Sequence, residues 1–174
     1  MLIPISIIIK GLTMFDIIQA DLTRSEHAEA YLSLMSHYAT DPMGGSEDLS
    51  EFAKQNLVDS LLKRSDVFIV LAFKDNQPAG LLTAIEGFST FACQPLFNVH
   101  DVVVYQDFRH QGVSALLFSE IEKIAKQRNC CKITLEVLEG NEIAKRAYSK
   151  QGFSGYQLNP EYGNAIFWTK SLLD

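Results

Sequence analysis

The chain has 174 residues, 47% of them apolar, and its 15 basic and 21 acidic side chains leave a net charge of −6. That length suits a single domain with a substantial core, and the mixture is that of an ordinary globular protein. The acidic balance excludes the phosphate-neutralising surface on which non-specific nucleic-acid binding rests, and it suits a cationic substrate.

Leu2–Ile9 is apolar but far too short to span a bilayer, and it lacks the basic start and small-residue cleavage site of a signal peptide. Residues 1–13 read as an N-terminal extension, Met14 as a natural start, and residues 14–174 as one domain. Phe15–Gln19 has strand character. Thr23 and Glu26 form a capping-box pattern ahead of Ala28, Tyr31, Leu32 and Met35 at helical spacing, a helix that should stop near Ala39, before Asp41-Pro42. The Asp41–Gly45 loop leads to a second helix from Ser50, with Ala53, Leu57, Val58, Leu61 and Leu62 on one side.

Val67–Phe73 and Ala79–Glu86 read as a hairpin about a turn at Lys74–Gln77. Ser89–Pro95 should be irregular and Phe97–Val104 a strand. Gln111–Arg128 has a helical stripe of Val113, Leu116, Leu117, Ile121 and Ile124; Lys132–Val137 is strand-like. Asn141 should cap a short helix with Ile143, Ala144, Ala147 and Tyr148 inward, stopped by Gly152. Phe153–Leu158 and Ala165–Ser171 should close the sheet. This order predicts an α/β fold of the α+β type, a mixed and mostly antiparallel sheet of about seven strands flanked by about four helices.

The three cysteines, Cys93, Cys130 and Cys131, make neither a disulfide framework nor a C-x-x-C metal site, and the four histidines make no H-E-x-x-H pair. No metal is implied, and a reducing cytoplasmic setting is the simplest reading.

The segment from Val102 to Ser114 carries the chemistry. A buried strand enters a short loop and then a helix that begins around Gly112. A helix start offers unsatisfied N–H groups and the positive end of a dipole. Gly112 has no Cβ to keep an anion away, and Arg109 adds a cation, so the unit suits a diphosphate. The Walker lysine and the G-x-G-x-x-G glycines are absent.

From Val67 to Trp168 the chain resembles the GNAT N-acetyltransferase superfamily. Arg109-His110-Gln111-Gly112-Val113-Ser114 matches its phosphate motif, with Ser114 in place of the usual Gly or Ala. Asn141, Ala144, Tyr148, Gly152 and Phe153 match its later Asn-x-x-Ala-x-x-x-Tyr-x-x-x-Gly-Phe pattern. The resemblance implies the GNAT fold and acetyl-CoA as co-substrate. It implies that the loop and first helical turn, Arg109 to Ala115, hold the diphosphate, and that the Val102, Val103 and Val104 backbone meets the pantetheine arm in a splay beside Lys132–Val137. Asn141 and Ala144 would line the same arm, and Tyr148 would reach the thioester sulfur. A phenol there can donate to the departing thiolate.

The attacking amine needs a proton acceptor. His100 and Asp101 lie just upstream of the loop, where local similarity to spermidine/spermine acetyltransferases places a catalytic carboxylate. Histidine titrates near neutrality. Glu86 and Glu136 are the other candidates. Strict alternation puts His100 on the face of Val102 and Val104, and a bulge would release it. The reading is direct acetyl transfer in a ternary complex to a small-molecule or peptide amine, with no nucleic-acid or membrane partner and with a homodimer left open. The alternative is a non-catalytic acyl-CoA-binding module.

Overall fold

β1 (Asp16–Gln19), β2 (Val67–Lys74), β3 (Gln77–Ser89), β4 (Gln94–Val104) and β5 (Ile133–Leu135) form one sheet in that spatial order. β1 to β4 pair antiparallel, and β5 runs parallel to β4. The structure, a computed structural model, describes residues 14–157 and 159–172. The N-terminal extension expected over residues 1–13 lies outside them, as does Leu158. The chain divides into two compact units, one ending at Leu135 and the other beginning at Glu136.

In the first unit the local chemistry follows the residue pattern. Asp75 and Asn76 both take positive φ, 51° and 63°, the two-residue turn whose twist suits a hairpin. Ser50 caps α2 (Glu51–Leu62) by accepting from the Ala53 amide at 3.1 Å. Ahead of α1 (Ser25–Thr40) the expected capping box does not form. The Thr23 hydroxyl donates instead to Asp21 Oδ1 at 2.6 Å, and Arg24 stands at the N-cap without a side-chain cap bond. An Asx turn satisfied within two residues competes successfully with the cap.

Tyr31 and Leu34 of α1 bury against Ile69, Leu71, Leu81 and Val103 on one face of the sheet. α3 (Val113–Gln127) lies on the other face, where a Cβ on Gly80 would stand 3.2 Å from Val113 and 3.3 Å from Leu117. The missing side chain lets the first turns of α3 settle directly on β3. Phe118 is buried in place of Leu116, which is 41% exposed, so the inward stripe is rotated from the one expected. Ser89–Pro95 is more regular than expected, since β3 and β4 stay paired out to Ser89 and Gln94.

In the second unit, α4 (Glu142–Lys150) is closed by local bonds at both ends. Asn141 accepts from the Ala144 amide at 3.1 Å. At the other end Gly152, at φ 88°, donates to the Ser149 carbonyl and Phe153 to that of Tyr148, the glycine-terminated Schellman arrangement. Ile143, expected to face inward, is 70% exposed.

The described residues thus hold five strands, not about seven, with four helices. Among the described residues, the segments expected as terminal strands, 153–157 and 165–171, have no strand assignment; the Ala165 amide donates to the Tyr156 carbonyl. Ile166, Phe167 and Trp168 have strand-forming side chains but lie exposed, and a strand is stabilised by its cross-strand neighbours rather than by propensity.

Candidate active site

β4 leads through Tyr105 and a single 3-10 turn, Gln106–Phe108, into the loop that starts α3. His110 and Gly112 have positive φ, 63° and 81°. Gly112 is the N-cap residue of α3, no side chain caps the helix, and a Cβ there would meet nothing within 4 Å. The first amides of α3 are therefore presented with an open approach at the positive end of the dipole, which fits a diphosphate. His110, Gln111 and Ala115 are exposed around this turn, Ser114 is half-buried, and Val113 anchors it from beneath.

Arg109 is not a free cation at the loop edge. Its Nη2 donates to Asp41 Oδ2 at 2.9 Å, and its Nε donates to the Val104 carbonyl at 3.2 Å. Asp41 follows the last turn of α1. It accepts from the Met43 amide and from Arg109, and these bonds hold its carboxyl below the usual aspartate range. The pair straps the loop after α1 to the loop before α3. No local signal could have shown it, because its members are 68 residues apart.

Beside this loop the sheet is open on one edge. β5 pairs with β4 only from Phe97 to Val99, and among the described residues no strand follows it along Asp101–Val104. The Tyr105 amide donates to the Ala79 carbonyl at 2.8 Å. By the alternation of an antiparallel ladder Val103 also turns its backbone toward β3, while Val102 and Val104 turn theirs to the open edge. The Val103 side chain is buried beneath α1.

The β4 register shifts at this point. Thr83 faces Asp101 and Ala84 faces Val99, so His100 is the extra residue of a bulge and the strict alternation expected for it lapses. His100 is exposed. Asp101 shares the α1 face with Val103 and is half-buried. Burial pushes its carboxyl above the ordinary aspartate range, while bonding to Thr83 and the neighbouring His100 pull the other way. The Tyr31 hydroxyl lies 3.5 Å from Thr83 Oγ1, and burial raises that phenol to about 12. Burial first, then the nearby Asp101 and Asp41 carboxylates, raise Tyr38. Thr83, Tyr31 and Tyr38 surround Asp101 and were not singled out by the sequence pattern.

Glu86 does not join this group. It is held by the Arg128 guanidinium, with Nη2 3.1 Å from Oε1, and that bond keeps its carboxyl low. It faces across from Phe97, away from α1. Glu136 is exposed beyond β5. In the second unit Asn141 spends its side-chain oxygen on the helix cap, Ala144 is half-buried, and the half-buried Tyr148 ring lies 6.2 Å from that of Phe153. A shallow cleft lined by Gln19, Asp21, Leu61 and Arg64 sits at the other end of β2 and holds none of these residues. No helix among the described residues is long and apolar enough to cross a membrane.

Comparison with known proteins bears on this arrangement. The profile of the family described as "Acetyltransferase (GNAT) family" matches residues 28–153, well over half the chain. A glucosamine 6-phosphate N-acetyltransferase of Trypanosoma brucei brucei is 26% identical over 154 residues, 83% of this chain and 95% of the relative. Among solved structures, a probable acetyltransferase superposes with a TM-score of 0.74 at 23% identity, over 89% of this chain and 98% of that one. AAC(6')-Iy, in complex with the bisubstrate analogue CoA-S-monomethyl-acetylneamine, superposes with a TM-score of 0.71 at 18% identity, over 91% of this chain and 99% of that one. Both share the fold.

The burial of Asp101 has a consequence for stability. A carboxyl whose folded pKa is raised adds no cost below the ordinary aspartate value of 3.8, where it is protonated in both states. The cost enters as pH rises through that value and is complete above the folded pKa. Asp101→Asn removes the ionisation and keeps an acceptor for Thr83. It should therefore gain on the wild type in urea denaturation at neutral pH, with the gain vanishing below pH 3.8. A wild type that is the more stable of the two at neutral pH would contradict this.

Proposed function

This chain belongs to the acetyltransferase (GNAT) family, and from that premise we propose that it transfers an acetyl group from acetyl-CoA to a primary amine by direct attack in a ternary complex. The observation that carries this reading is the left-handed Gly112 ahead of an uncapped α3, at the end of a strand whose outer edge is open. Acetyl-CoA, when bound, supplies the activated thioester. The first-turn amides from Val113 to Ala115 hold the diphosphate, and the Val102 and Val104 backbone engages the pantetheine arm. α1, α2 and the loop from Asp41 shape the acceptor side.

His100 and Asp101, neighbours at the bulge, receive the proton that the ammonium must lose before it can attack. Asp101 is placed by Thr83, and its raised pKa favours proton uptake. Tyr148 donates to the leaving sulfur as negative charge develops there. A covalent acyl-enzyme finds little support, since burial pushes the Cys130 thiol up, away from the nucleophilic thiolate. The relatives' names, a glucosamine 6-phosphate N-acetyltransferase and AAC(6')-Iy bound to an acetylneamine bisubstrate analogue, favour a small-molecule amine over a peptide as acceptor. The three unpaired cysteines suit a reducing cytoplasm.

The activity is tested by thiol release from acetyl-CoA mixed with a panel of polyamines, amino acids, amino sugars and peptide N-termini. Binding of acetyl-CoA without thiol release across the panel would favour a non-catalytic acyl-CoA module. Gly112→Glu puts a bulky anion into the phosphate turn and should abolish acetyl-CoA binding in calorimetry while circular dichroism stays native; unchanged affinity would remove the anion-site assignment. Tyr148→Phe should keep that affinity and lower turnover by roughly 10²–10⁴-fold. Wild-type turnover in this variant, with chemistry limiting, would make Tyr148 a packing residue. His100→Ala should lower the rate most at low pH, where free amine is scarcest, and simplify the acidic limb of the pH–rate profile. An unaltered profile would leave Asp101 as the proton acceptor.

A further inference from the structure

Lys74 ends β2 immediately before the Asp75–Asn76 turn, and its ammonium is held against the phosphate loop. Nζ donates to Gln111 Oε1 at 3.2 Å. It also lies over two aromatic rings, 5.4 Å from the Phe15 centroid and 5.6 Å from that of Phe108. The rings meet edge to face at 6.0 Å, so the cation sits in a packed aromatic corner. Gln111 is fixed in turn by its donation to the Asp107 carbonyl at 2.9 Å. Among the described residues no carboxylate pairs with Lys74, whereas Arg109 is neutralised by Asp41.

The charge balance at the loop gives this cation a task. Coenzyme A carries a diphosphate and a 3′-phosphate, while the start of a helix contributes only about half an elementary charge. With Arg109 engaged, the loop's own arginine does not supply the rest. Among the described residues Lys74 is prepaired with no anion, its ammonium is already positioned through Gln111, and the flanking rings reduce the side-chain entropy that an anion would otherwise have to freeze.

We infer that Lys74 is the cation that receives the phosphate-rich end of acetyl-CoA. This rests on the acetyl-CoA reading above and adds to it a residue from the β2–β3 hairpin, outside the phosphate motif. The diphosphate and the 3′-phosphate offer the same anionic chemistry.

Calorimetry on the full chain with CoA and with dephospho-CoA tests the inference. Lys74→Gln keeps an amide donor on a side chain one atom shorter and removes the charge with its contacts to the two rings; Lys74→Arg keeps the charge. Lys74→Gln should weaken CoA binding about tenfold and flatten its salt dependence, and Lys74→Arg should stay within about threefold of wild type. An equal loss with dephospho-CoA assigns the contact to the diphosphate, and a loss confined to CoA assigns it to the 3′-phosphate; both support the inference. Wild-type affinity for both ligands in a folded Lys74→Gln variant overturns it. A wild-type chain that binds neither ligand sinks the acetyl-CoA reading itself, and the role of Lys74 with it.

Discussion

β4 pairs with β3 to its end but with β5 only as far as Val99, and the next residue, His100, is the one left over in the β3–β4 register. A bulge bends its strand and increases the local twist. The loss of the second partner and the start of the bulge fall at the same peptide. Below this point the sheet is sealed on both sides of β4. Above it, the Val102 and Val104 backbone faces an open edge and the strand runs on to the Gly112 turn. The rest of the candidate site inherits its position from that step: the Gly112 turn by chain continuity, Asp101 by its registry with Thr83, and α3 by its seat on Gly80.

The loop after α1 reaches this region through charge rather than through packing. Asp41 and Arg109 are partly exposed, and an exposed ion pair is worth little, on the order of 0–1 kcal/mol. Its contribution is positional. Arg109 also bonds the Val104 carbonyl, so one guanidinium ties the end of α1 to the end of β4. The His37 and Tyr105 rings stack at 4.4 Å across the same junction. The segment proposed to shape the acceptor side is thereby fastened to the segment proposed to hold the cofactor.

What could be read from the residues in advance divides along local and non-local physics. Gly112, Asn141, Gly152 and the Asp75–Asn76 turn act within a few residues, and each behaves as its chemistry dictates. The order of helices and the first hairpin follow from periodicity. A bulge at His100 could be raised from the sequence only as a condition for its release, and pairing with β3 is what exposes the extra residue. The Thr83–Tyr31 and Asp41–Arg109 contacts span 52 and 68 residues, beyond any spacing rule. The terminal strands fail for the converse reason. Ile166 to Trp168 have the right composition, but a ladder needs a partner that composition does not supply.

Several places where this chain departs from its most stable choice lie between Asn98 and Leu116. Gly112 leaves the α3 terminus without the side-chain cap that Ser50 and Asn141 give α2 and α4, a difference on the order of a few tenths of a kcal/mol for a glycine N-cap. The bulge leaves a residue out of the ladder, Asp101 is a carboxyl held against burial, and Leu116 is an exposed apolar side chain on the first turn. At φ 81° Gly112 holds a left-handed conformation that Ser or Asp would adopt only with strain, so the open helix start goes with the turn that leads into it. Around them the sheet and helices bury Tyr31, Leu34, Leu71, Leu81, Phe97, Leu117 and Ile121 almost completely. Beside this well-packed core, the open amides at the start of α3 and the half-buried Asp101 carboxyl are the two kinds of group that phosphate recognition and proton transfer use.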